Sequence, residues 1–265
     1  METARQPPEL HGVPRSRWRV ADLLAAVPWA RGYAVSGLAR ALKRLKVGRP
    51  RGRLRLHSPD PAYREKVSDI AHARSLAYLP ALATTLLYGD EFSLYRQPTL
   101  GPAFAPVGAG PVADLSHRRN TYDRYCGALN VATGQLTWLG RSKMGVVNLK
   151  RFLAKLRATS PGQRLYLVWD NWPVHAHPEV QAQAARLGIE PLWLPTYAPW
   201  LNPIEKLWRW LTEELLRHHR LADRFAALKR RVAAWLDRFT RPAPDLLRYV
   251  GEPTGPAQAR PGRAA

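Results

Sequence analysis

The chain has 265 residues, 46% of them hydrophobic, enough for one sizeable core and too many for a disordered protein. Lys and Arg number 41 against 20 Asp and Glu, a formal net charge of +21 that points to a polyanionic partner, double-stranded DNA before an anionic membrane. No apolar run approaches the roughly 20 residues of a membrane-spanning helix, the amino terminus METARQPPELHG has no signal-peptide core, and the single cysteine, Cys126, excludes an internal disulfide or a cysteine zinc cluster, so a cytoplasmic, nucleoid-associated protein is expected.

Residues 1–15 are polar and Pro-rich. A helix is expected from Arg17, with Val20, Leu23, Leu24 and Val27 on one side, broken by Pro28 to Tyr33. Ser36 is placed as the cap of a second helix whose apolar side is Leu38, Leu42 and Leu45. Its other side and the arm VGRPRGRLRLHS carry eight basic residues and no acid: Arg40, Lys43, Arg44, Lys46, Arg49, Arg51, Arg53 and Arg55. Such a helix and arm suit a helix-turn-helix or winged-helix reader, the helix in the major groove and the arm along phosphates or the minor groove. A solvated basic helix and linker is the plainer alternative. Segment 1–57 is therefore set apart as a partial DNA-binding segment, ahead of a main domain over 58–250. The Pro/Gly-rich stretch 251–265 reads as a disordered tail.

SPDPAYREKVSDIAHARSL (58–76) opens with turn chemistry and continues as a helix. A β-rich run over 82–96 reaches Asp90, and a Gly/Pro-rich hairpin or loop follows. Residues 125–142 read as a hairpin turning at ATG, with Cys126 as a small core residue. Then come an amphipathic helix over 146–162, a buried strand RLYLVWD (164–170), a helix over 177–188 stopped by Gly188, and a strand over 189–195. Helices over 203–218 and 222–240 complete the core. Antiparallel strands first and parallel crossovers later mean an α/β fold, a mixed five-stranded sheet with helices on both faces.

Three acids fall at sheet or helix edges: Asp90 at the end of the first strand, Asp170 at the end of the fourth, and Glu205 in the first turn of a helix. Strand carboxyl ends are where sites form in open α/β sheets. Converging carboxylates without cysteine suit hard cations such as Mg²⁺ or Mn²⁺, and two such ions serve phosphodiester chemistry. Each acid also has a plainer use. Glu205 stands three residues after Asn202, close to a capping box, and Asp170 could simply shape a turn before Asn171. Asp90 has a rival in Glu91, which alternation sends to the opposite face, so only one of the two can join the site. His175 and His177 read as loop histidines, with His175 at most helping to position the site. Trp172 and Trp200, in loops beside the acids, are candidates to stack on an unpaired base.

At these residues the chain resembles DDE transposases of the mariner superfamily, in their bacterial insertion-sequence branch. YGDEFSL (88–94) resembles the first-aspartate strand, VWDNWPVHAH (168–177) the second, and LPTYAPWLNPIEKLWRWL (194–211) the block that holds the glutamate. Between Asp170 and Glu205, 34 residues intervene, the spacing of this branch. The resemblance implies a ribonuclease H-like catalytic domain preceded by a helix-turn-helix remnant, and two Mg²⁺ or Mn²⁺ ions held by Asp90, Asp170 and Glu205. It implies cleavage at an element's ends, joining of the freed 3′-hydroxyl to target DNA, and a homodimer or larger assembly that pairs two ends. It assigns Asp90 over Glu91 and gives the terminal inverted repeat to the basic helix around Arg40 to Lys46. Two departures stand out: family members carry another helix-turn-helix upstream, and segment 98–112 lacks the tryptophan often found there. A truncated or domesticated DNA-binding protein, or a nuclease of the same fold, is the alternative.

Overall fold

The computed structural model describes residues 2–48, 57–106, 108 and 110–254. Arg49, Arg51, Arg53 and Arg55 and most of the expected tail lie outside the described residues. The chain divides into two units, Met1–Arg55 and Leu56–Ala265.

In the first unit, helices α1 (Val20–Ala26) and α2 (Val35–Arg44) close a small core of Leu23, Val27, Ala30 and Leu38. Ser36 does not cap α2: the helix begins one residue earlier, after an extended Ala34, and no side chain serves as its cap. Leu38 and Ala41 face inward, whereas Arg40, Lys43, Arg44 and Lys46 are exposed.

The second unit begins with α3 (Tyr63–Ala77). Strands β1 (Thr84–Tyr95), β2 (Tyr122–Asn130), β3 (Leu136–Arg141), β4 (Arg164–Trp169) and β5 (Ile189–Trp193) form one sheet in the order β3-β2-β1-β4-β5. β1 pairs antiparallel with β2 and parallel with β4, and β4 pairs parallel with β5. This is the mixed sheet expected of a ribonuclease H-like domain. The described residues between β1 and β2 form neither helix nor paired strand, and their base is closed by the Gln97 amide, which donates to the Ser116 carbonyl and accepts from its N–H, both at 2.9 Å.

Alternation along the strands sorts two cores. Leu86 and Tyr88 of β1, with Tyr166 and Val168 of β4, pack under α3. Leu87, Leu165, Leu167 and Trp169 point the other way, onto α4 (Val146–Thr159) and α5 (Pro178–Arg186). Helices α6 (Ile204–Leu211) and α7 (Phe225–Asp237) cover β1, β2 and β3 with Ile204, Leu207, Trp208, Leu228 and Val232. Helix α6 does not run straight on to 218. A π-helical turn over Thr212–Leu216 follows it, an extra residue that buries both Leu215 and Leu216. A further helix that the periodicity does not announce, α8 (Pro244–Val250), adds Leu246 and Val250 to the same core.

Candidate active site

Asp90 does not end its strand. β1 runs on to Tyr95 against β2, but its parallel pairing with β4 stops at Tyr88 opposite Val168. Asp90 therefore sits where β4 falls away and the sheet opens. Asp170 follows the last residue of β4, and Glu205 lies in the first turn of α6. The three side chains line one cavity of about 390 Å³, with Asn171, Trp172, Thr196, Tyr197 and Asn202 among its walls.

Each acid has a defined local reason for its place. Gly127, opposite Asp90 on β2, has no side chain, so the Trp208 ring lies against the sheet there; a Cβ would come within 2.8 Å of it. From that position the Trp208 indole N–H donates to Asp90 Oδ2 at 3.0 Å. On the other face Gly89 makes room for Trp169, whose indole Nε1 occupies the space a Cβ would need. Asn202 is buried; its amide donates to the Gly89 carbonyl at 3.1 Å and its Oδ1 takes the Ile204 N–H at 3.4 Å. Asn202 thus ties the start of α6 to the strand of Asp90. Glu205 makes no capping bond, which removes the capping-box reading and leaves its carboxylate to the cavity.

Asp60, which no sequence motif singles out, holds another wall. Its carboxylate accepts from Lys66 Nζ at 2.8 Å and from the N–H groups of Ala62 and Thr196, each at 2.9 Å. Those bonds, Lys66 foremost, bring its pKa down to about 2. The Ser58 hydroxyl donates to the Thr196 carbonyl at 2.5 Å, so both backbone groups of Thr196 are held.

Charge in the cavity is one-sided. No Lys, Arg or His is among its lining residues, although the whole chain carries +21. Burial, then the charges of Glu205, Glu91 and Asp170, push Asp90 up to about 8 against the bond from the Glu91 N–H. Glu205 is raised too, by burial and by Asp170, with Arg209 pulling the other way. Asp170 moves oppositely: burial disfavours its charge, but bonds from His175 and from the Trp172 N–H outweigh that and lower its pKa. Asp90 and Glu205, each raised by burial and neighbouring carboxylates in a cavity with no basic lining residue, fit together with Asp170 a divalent metal ion, which would replace repulsion by coordination. Asp90, Asp170 and Glu205 are the residues that would hold it.

His175 departs from the expectation of an ordinary loop histidine. It is fully buried, stacked on Trp169 with ring centres 4.2 Å apart, and its two ring nitrogens face Glu91 and Asp170. Trp172 stands edge-on to it at 5.3 Å and also lines the cavity; Trp200 is 45% exposed. His177 accepts the Glu179 N–H at the start of α5.

The sheet is that of a ribonuclease H-like domain, with three carboxylates lining a cavity where its central strands β1 and β4 part. Residues 85–229, from β1 into α7 and including all three acids, match the family described as DDE superfamily endonuclease, and the chain belongs to that family. It is an enzyme of the nuclease and transposase kind. Over 233 residues it is 24% identical to "Insertion element IS630 uncharacterized 39 kDa protein" of Shigella sonnei, covering 86% of this chain and 67% of that one. The crystal structure of the Mos1 mariner paired-end complex with Mn superposes with a TM-score of 0.59 at 16% identity, over 91% of this chain and 77% of that chain. The Mos1 strand transfer complex gives 0.57 at 17% identity, over 91% and 76%. At that identity the likeness establishes the fold.

Proposed function

We propose that this enzyme cleaves phosphodiester bonds at the ends of a DNA element and joins the freed 3′-hydroxyl to target DNA, with Asp90, Asp170 and Glu205 holding two Mg²⁺ or Mn²⁺ ions. The observation that carries this reading is the cavity itself: three acids from three separate elements share it, without a basic lining residue, in a strongly basic chain. When bound, the ion pair would activate the attacking oxygen and stabilise the leaving one. The chain's own residues set the geometry beforehand. Trp208 fixes Asp90, Asn202 ties the Glu205 helix to the Asp90 strand, and Asp60 holds the loop behind Thr196. The partner is double-stranded DNA, both the terminal inverted repeats and the target. The exposed cations of α2, Arg40, Lys43 and Arg44 with Lys46 just beyond, are its proposed contacts in a DNA-binding first unit. Work on two ends at once calls for a homodimer or larger assembly. Among the described residues no helix is long and apolar enough to cross a membrane.

The test is product analysis with inverted-repeat duplexes and Mg²⁺ or Mn²⁺. Nicked ends and joined molecules are expected from the wild-type chain, and neither from Asp170→Asn. Nicks without joining would reduce the enzyme to a nuclease, and DNA binding without either product would reduce it to a binding protein.

A further inference from the structure

Glu91 has no part in the proposed chemistry, yet it is built in as firmly as Asp90. Alternation along β1 sends its side chain through the sheet to the α4 and α5 face, where the carboxylate is only 8% exposed. There Oε1 lies 2.9 Å from His175 Nε2 and accepts the Cys126 thiol at 3.3 Å. The other ring nitrogen, Nδ1, lies 2.9 Å from Asp170 Oδ1 and 3.3 Å from the Asp170 carbonyl oxygen, both of them acceptors. Trp169 and Trp172 wall the ring in, and Gln181 donates to the His175 carbonyl at 2.7 Å. Carboxylates only accept, so a histidine between two of them donates at both nitrogens.

Resting on the reading that Asp170 is a metal ligand, we propose that Glu91 and His175 form a positioning relay for it. The relay anchors Asp170 through Oδ1, which also takes the Trp172 N–H at 3.1 Å, and reserves Oδ2 for the cation. Neither Glu91 nor His175 ligates the ion. The Asp170 side chain is 52% exposed and follows the end of a strand, so without an anchor its carboxylate would sample several rotamers, and cation binding would have to arrest them. Asn202 and Trp208 restrain the Asp90 side of the cavity; the relay does the same for the opposite side, from beneath the sheet.

A rival use of the same atoms fails on geometry. Ligand atoms of Glu91, Asp170 and His175 lie within 4.8 Å of one another, a spacing compatible with one bound cation. But Glu91 and Asp170 meet opposite edges of the imidazole, and one ion cannot take both nitrogens. The ring would have to surrender one of its two 2.9 Å contacts, and on the Glu91 side that would leave a buried carboxylate without its partner.

The relay is tested by two substitutions that divide the histidine in half. In Asn the amide nitrogen falls near Nδ1, and in Gln it falls near Nε2. His175→Gln keeps the bond to Glu91 and loses the one to Asp170. His175→Asn combined with Glu91→Gln keeps a donor for Asp170 and removes the buried charge. Mn²⁺ affinity of the full chain, from the electron paramagnetic resonance of free Mn²⁺, is compared with the metal-free melting temperature. We expect His175→Gln to weaken Mn²⁺ binding about tenfold to a hundredfold, the usual cost of losing a ligand's supporting partner. The double variant should recover most of that loss, whichever of the two melts lower. Affinity that follows melting temperature instead of the Asp170 bond would overturn the relay, as would ¹⁴N coupling from imidazole bound directly to Mn²⁺. So would unchanged affinity in His175→Gln when Asp170→Asn abolishes binding. Failure of the wild-type chain to bind Mn²⁺ would overturn the proposed metal site first, and the relay with it.

Discussion

The site depends on one glycine for what it lacks. Gly127 lets the Trp208 ring lie against β2, and through that indole Asp90 is held. Gly127→Ala would place a methyl 2.8 Å from the ring and 3.2 Å from Ile204. The ring must move, at a cost of about 1–3 kcal/mol for an overpacked core. We expect a lower melting temperature together with weaker Mn²⁺ binding. Gly110→Ala, exposed and outside every helix and strand, where a Cβ meets nothing within 4 Å, should change neither and serves as the control. Asp90 also makes a prediction with a sign. Its folded pKa of about 8 stands above the ordinary aspartate value of 3.8, so between those values the folded state keeps a proton that the unfolded state has lost. This group's contribution to stability therefore falls as pH rises through that window. In chelator, Asp90→Asn should raise the melting temperature more at pH 8 than at pH 5, while abolishing metal binding. An equal rise at both pH values would show that Asp90 carries no such strain.

At the scale of elements, the cavity is a junction of β1, the end of β4, the loop after β5 and the start of α6, and each joint is a named bond. Asp60 is the joint between the turn before α3 and Thr196 in the cavity wall. Because its pKa is lowered to about 2, it contributes stability that is full above the ordinary value near 4 and lost as pH falls through about 2. Asp60→Asn should lower the melting temperature at pH 7 and have much less effect near pH 2. A deficit that stayed constant across that range would mean the lost packing matters and the charge does not. The same variant should blur the cavity wall and weaken Mn²⁺ binding without touching any of the three acids.

Across the whole molecule, charge is unevenly divided. The chain carries +21 in all, yet none of the cavity's lining residues is basic. If α2 binds phosphates, replacing Arg40, Lys43, Arg44 and Lys46 by Gln should lower the slope of log affinity against log salt by about one for each phosphate left without its cation. Asp170→Asn should leave that slope unchanged. An unaltered slope in the α2 variant would return those cations to the status of a solvated helix face.

Period-two and helical patterns were legible because they are local: the five strands, the crossover helices and the apolar face of α6 follow from residue types a few positions apart. So was the trio of acids, through motif spacing and the resemblance it carries. Alternation separated Asp90 from Glu91 but could not say which face would be the cavity. That was decided when Leu86 and Tyr88 packed under α3 and α6 settled against the same side of the sheet. Asp60 joins Thr196 across 136 residues, and His175 joins Glu91 across 84. No local pattern marks a lone aspartate in a turn or a lone histidine in a loop for such partners. The sequence by itself determined the strands and most of the helices and singled out the acids as candidates, because those signals lie in short stretches. Only the tertiary structure decided which polar groups hold the acids in place, because a hydrogen bond between distant segments exists only after the sheet has brought them together.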